Sequence, residues 1–177
     1  MSNAEQANAL EKGEIDLGLV HTPVPVAGKM REKLIAVLPD TFELGSGTSA
    51  DTSADTSAGT KVTLRELAPH GLVWFPHDQL PNVRAGILSA FRQAGCEVEI
   101  VQEANRSLTV LACVAAGCGV SLLPSSTRSL QFSGVRLCEI IDGAALPRFE
   151  LSAIWPARAK PTLADRFAEL IEPYSGD

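Results

Sequence analysis

The chain has 177 residues, 45% of them apolar and only 5% aromatic, so its core must be built from Ala, Val, Leu and Ile. That composition suits layered α/β packing and argues against an aromatic-rich β-sandwich. The net charge of -6, with no basic run, makes the polypeptide itself a poor grip for nucleic acid and a better partner for small molecules or other proteins.

Asn3 followed by Gln6 reads as a helix cap with its reciprocal partner, opening a helix that passes Leu10 and stops near Gly13. Ile15–Val20 reads as a short buried strand, broken by Pro23 and Pro25. Lys33–Leu38 is a second strand, ended by Pro39. Residues 45–60 carry TSAD twice, at Thr48–Asp51 and Thr52–Asp55, then Thr56, Ser57 and Ala58. A tract of Gly, Ser, Thr and Asp buries too little to offset its ordering entropy, so it is expected to be a flexible surface insertion.

Thr63 and Glu66 have the spacing of a capping box on a short helix. Leu72–Phe75 is a strand stopped by Pro76. Pro81–Ala94 is a helix with Val83, Ile87, Leu88 and Phe91 on one face, closed by Gly95. Val98–Val101 is a strand, Ser107–Ala116 an apolar helix ended by Gly117, and Val120–Leu123 a strand stopped by Pro124. Val135–Leu137 is a short strand. Phe149–Trp155 alternates, with Leu151, Ala153 and Trp155 on one side. Thr162 caps a last helix whose apolar stripe is Leu163, Phe167, Leu170 and Ile171.

From residue 72 to 123 the order strand–helix–strand–helix–strand predicts a βαβαβ unit, hence a parallel or mixed sheet covered on both faces. Ligands bind at the carboxyl ends of such strands.

Enzyme chemistry finds little support. No GxSxG, P-loop, HExxH or GxGxxG motif is present, and Gly117-Cys118-Gly119 lacks the further glycine of a dinucleotide loop. His70 and His77 read as solvated loop side chains, and no sequence neighbour supports Cys118 as a nucleophile. Cys96, Cys113, Cys118 and Cys138 form no CxxC pair and sit at no zinc-finger spacing, so they are expected to be reduced thiols, with no metal and no cofactor. No signal peptide opens the chain and no apolar run is long enough to span a membrane, which predicts a cytoplasmic protein with no membrane partner.

LEKGEIDLGLV at Leu10–Val20 and ACVAAGCGVSLLP at Ala112–Pro124 resemble two signature elements of LysR-type transcriptional regulators, in their effector-binding domain. TLRELAPHGLVWF at Thr63–Phe75 resembles that family's crossover into its second lobe, and Trp155 with the last helix resembles its return to the first. The resemblance implies a two-lobed α/β fold of the type 2 periplasmic-binding-protein kind. Residues 1–62 and 147–177 would form an incomplete first lobe and 63–146 the second.

PNV at Pro81–Val83 and LPSSTRSLQ at Leu123–Gln131 are closest to regulators of aromatic-compound degradation, which sense muconate or benzoate-like acids. The resemblance implies an interlobe site. Ser2 and Asn3 would face the carboxylate at a helix start, with Pro81, Asn82 and Val83 opposite and Ser107 and Phe149 as walls. His21 stands where those regulators often carry Arg, and Val83 where they carry Phe. A neutral imidazole holds a carboxylate less firmly than a guanidinium, which weakens binding or changes the inducer.

The partners implied are a small carboxylate inducer, further copies of the chain in a homo-oligomer (dimer or tetramer in the full-length parent), and DNA only through a helix-turn-helix domain absent from this chain. The family's opening strand, helix and second strand of the sensor are also absent here, which predicts altered dimerisation and impaired effector binding. A solute-binding protein of a transporter, which has the same architecture, is the alternative.

Overall fold

The computed structural model describes residues 3–21, 29–43, 61–156 and 166–167. The 45–60 tract and the last helix lie outside the described residues, apart from Arg166 and Phe167, which are helical. The chain divides into two units, residues 1–32 with 148–177 and residues 33–147.

In the first unit, helix α1 (Asn3–Glu11) is followed by strands β1 (Gly18–Val20) and β2 (Lys29–Glu32), with β9 (Phe149–Ile154) returning late in the chain. They form a sheet of order β1-β9-β2, antiparallel throughout. α1 buries Ala9 and Leu10, and a side chain at Gly18 would meet Leu10 and Ile154, so the helix crosses the sheet where β1 has no Cβ. Asn3 is the first helical residue, and the Gln6 Oε1 accepts from the backbone N–H of Leu19 at 2.8 Å, fastening α1 to β1. That bond satisfies a strand donor. Burial in β9 does not alternate as the sequence predicts: Phe149, Ser152 and Ala153 are buried and Leu151 is half-buried. As the central strand β9 is flanked on both edges, so its exposure follows its neighbours rather than a single wet face.

The second unit holds β3 (Leu34–Pro39), β4 (Lys61–Val62), α2 (Leu64–Leu67), β5 (Leu72–Trp74), α3 (Pro81–Gln93), β6 (Ile100–Glu103), α4 (Ser107–Ala115), β7 (Ser121–Pro124) and β8 (Val135–Ile140). The pairing order is β4-β8-β3-β7 in one group and β5-β6 in another. A parallel bridge between Leu72 and Val120 joins them, giving the mixed order β6-β5-β7-β3-β8-β4. Parallel β5, β6 and β7 are linked through α3 and α4, as the βαβαβ pattern requires.

β3 is buried from Leu34 to Leu38 because it lies between β7 and β8, antiparallel to both. That pairing puts residues 33–43 and 61–62 in the second unit, where the resemblance implies a division between 62 and 63. A strand with two hydrogen-bonded neighbours belongs with them, and chain order does not reveal those neighbours.

The core between sheet and helices contains Trp74, Ile87, Phe91, Val110, Leu111, Val114 and Leu122, all under 2% exposed. Helix α3 turns Ile87, Ala90 and Phe91 inward and leaves Val83 and Leu88 half-buried. Ser121 is fully buried and donates its hydroxyl to the Val73 carbonyl at 2.7 Å, tying β7 to β5. β6 begins at Ile100 rather than Val98, since the parallel register sets Leu72 opposite Ile100.

Candidate functional site

α2 shows what a closed helix start looks like in this protein. Thr63 and Glu66 complete the predicted capping box: the Thr63 N–H donates to Glu66 Oε2 at 2.7 Å and the Glu66 N–H to Thr63 Oγ1 at 3.2 Å. The Leu64 N–H donates to Asp142 Oδ1 at 2.9 Å. The first-turn donors that a helix leaves orphaned are thus taken by this chain's own oxygens.

α3 and α4 begin differently. Leu80 precedes α3 and Arg106 precedes α4, and neither side chain caps its helix. Pro81 supplies the pre-set φ of a first helical position and no N–H of its own. Both helices start just past the carboxyl ends of the parallel strands β5 and β6. Arg84 Nη1, in the first turn of α3, pairs with Glu103 Oε1 at the end of β6 at 2.7 Å. Ala104 donates its N–H to the Trp74 carbonyl at 2.9 Å. The starts of α3 and α4 are therefore fixed to one sheet edge. Pro81 and Asn82 are exposed there, Val83 and Ser107 half-buried. Exposed N–H groups and the positive end of the helix dipole make such starts favourable to an anion. Arg84 and Glu103 had no distinguishing sequence signal, because their spacing of nineteen residues becomes a contact only through the parallel pairing.

In the first unit, His21 follows β1 and Phe149 opens β9, and antiparallel pairing brings their rings to 4.5 Å at 55°. Burial lowers the His21 pKa below its ordinary value of 6.5, opposed by a backbone hydrogen bond with Glu150 and by the Glu32 carboxylate. The imidazole is therefore neutral near pH 7 and contributes dipole and ring surface rather than a full positive charge. Asn3 is placed at the start of α1, and Ser2 lies outside the described residues.

Two other features carry different chemistry. The second unit has an open hollow of about 430 Å³ lined by Ala68, Pro69, His70, Gly71, Glu97, Val98, Glu99 and Val101. None of the expected residues lines it, and its two carboxylates give it the wrong sign for an acid. His70 and His77 are both exposed, as expected of loop side chains, and the His70 ring lies 4.5 Å from that of Phe42. Among the described residues no group of His, Cys, Asp or Glu is arranged to hold a metal, and no described helix is long and apolar enough to cross a membrane.

An α/β unit whose helix starts crowd the carboxyl edge of parallel strands places them where ligands bind in such sheets. The family model described as the LysR substrate binding domain matches residues 1–174, and the chain belongs to that family. The HTH-type transcriptional regulator CatR of Pseudomonas putida is 26% identical over 157 residues, covering 86% of this chain and 50% of that protein. IlvR of Caulobacter vibrioides, another HTH-type regulator, is 31% identical over 167 residues, covering 89% of this chain and 51% of that protein. The chain thus spans about half the length of the curated relatives it matches. These relatives are transcriptional regulators, not enzymes. Among solved structures, the BenM effector binding domain with its effector benzoate superposes with a TM-score of 0.65 at 20% identity, covering all of this chain and 79% of that one. At that identity the likeness establishes the fold: that of LysR effector-binding domains, type 2 periplasmic-binding-protein-like, with mixed and parallel sheets.

Proposed function

We propose that this chain is the inducer-sensing part of a LysR-type transcriptional regulator and takes a small carboxylate, aromatic or muconate-like. The observation that carries the reading is the pair of uncapped helix starts, α3 and α4, at one edge of the parallel strands, beside an α2 start that the chain closes with its own carboxylates. An acid's oxygens supply what Leu80 and Arg106 do not. Asn82, Val83 and Ser107 carry this contact in the second unit, with Pro81 shaping the turn. In the first unit Ser2, Asn3, His21 and Phe149 carry it, the half-buried His21 ring, backed by buried Phe149, offering a face for a flat ligand. BenM, whose effector-binding domain is solved with its effector benzoate, supplies the ligand class.

In the whole protein, ligand binding shifts the balance between two arrangements of the subunits in a homo-oligomer, by its different affinity for each. DNA contact belongs to a helix-turn-helix segment of the kind named in the relatives, since this chain's acidic surface is unsuited to it. A cytoplasmic location follows from that role.

The test is a thermal-shift screen with benzoate, muconate and, as the uncharged match, benzamide. A ligand of the native state raises the Tm with the logarithm of its concentration. The acids are expected to shift the Tm and benzamide to leave it unchanged. Asn82→Asp discriminates further: its charge favours the α3 start and leaves stability equal or higher, by about 0.3–1 kcal/mol, while repelling the acid and weakening it about tenfold or more. Equal shifts by acid and amide, or undiminished acid binding by Asn82→Asp, would overturn the reading.

A further inference from the structure

α4 ends in a Schellman motif whose two interacting positions are both cysteine. The Gly117 N–H donates to the Val114 carbonyl at 2.9 Å, and the Cys118 N–H to the Cys113 carbonyl at 3.0 Å. Gly117 makes this possible, with φ of +79°. Side chains at these two positions commonly touch across the cap. Bond lengths also hold the two Cα atoms to less than about 7 Å across a 3.0 Å N···O bond, and disulfides span roughly 4.4–6.8 Å. Both thiols are free, Cys118 exposed and Cys113 half-buried.

The geometry points to Cys113 and Cys118 as a reversible dithiol that closes into a disulfide across the end of α4, with glutathione disulfide as oxidant. The Cys118 thiolate, the accessible one, attacks one sulfur of glutathione disulfide and expels a glutathione thiolate. The Cys113 thiolate then attacks the Cys118 sulfur of the mixed disulfide and expels the second. Two protein S–H bonds become one S–S bond, two protons leave, and the oxidant becomes two glutathione molecules. The bridge fastens the last turn of α4 to the residue that enters the Gly119 turn, where the Val120 N–H bonds to the Gly71 carbonyl at 3.0 Å. It thus tightens the joint between α4 and β7. The inference is independent of the ligand reading.

The experiment uses the unmodified full chain in buffers of graded glutathione disulfide to glutathione ratio, quenched and digested with trypsin. The peptide Ser107–Arg128 contains both cysteines and no other, so mass spectrometry distinguishes the bridged form, lighter by two hydrogens, from glutathione adducts and from free thiols. In folded protein the bridge should be half-formed at a ratio about tenfold more reducing than in urea-unfolded chain, because the cap holds the thiols together. An equal or more oxidising midpoint in the folded protein would overturn the inference, as would recovery of that peptide carrying two glutathiones.

Discussion

Leu111 and Leu108 lie three residues apart on α4 and make opposite predictions. Leu111 is fully buried and Leu108 is 58% exposed. Leu111→Ala removes three carbons from water-excluded packing, about 2.4 kcal/mol of transfer free energy. The cavity left under a helix that packs on β3, β5 and β7 adds to this, for a total of about 3–4 kcal/mol. Leu108→Ala changes a wet surface and should cost no more than about 0.5 kcal/mol. The assay is urea unfolding followed by tryptophan fluorescence in a Trp155→Phe background, so that buried Trp74 reports on the second unit alone. With an m-value of about 2 kcal/mol per molar, Leu111→Ala should lower the midpoint by about 1.5–2 M. A shift of Leu111→Ala no larger than that of Leu108→Ala would refute the placement of α4.

Three further outcomes follow from local geometry. Thr63→Ala opens the capping box and should cost about 1 kcal/mol, with Glu66→Ala adding less than its single-variant loss because both belong to one unit, as a double-mutant cycle in urea will show. Gly119→Ala should destabilise strongly and lower the Tm, since an added Cβ would stand 2.9 Å from the Gly71 carbonyl oxygen and 3.2 Å from that of His70, both backbone atoms with little room to yield. For His21 the folded pKa lies below the unfolded 6.5, so between the two the unfolded chain binds more protons and stability rises with pH. Acidification through that window should therefore destabilise the wild type more than His21→Asn; parallel pH profiles of stability for the two proteins would remove the reasoning.

The elements written by local chemistry were legible in the sequence. The Thr63–Glu66 box, the Pro-initiated α3, the apolar α4 and the glycine that closes it each rest on hydrogen bonds or side-chain periodicity within a few residues, which the order of amino acids specifies directly. The signature strings at Leu10–Val20 and Ala112–Pro124 carried the family for the same reason: each encodes a complete helix–turn–strand.

What only the tertiary structure decided are the pairings between distant segments. β2 was invisible, a short run beside Pro23 and Pro25 that becomes a strand by pairing with β9. Gln6 has the spacing of a capping partner, yet its oxygen serves Leu19. Residues 33–43 look contiguous with the first unit but pair within the second. Arg84 meets Glu103, and His21 meets Phe149, only once strands are in register. Periodicity tells a segment what it is; which neighbour satisfies its backbone donors and acceptors depends on chain that lies tens of residues away, and there the packed fold alone decides.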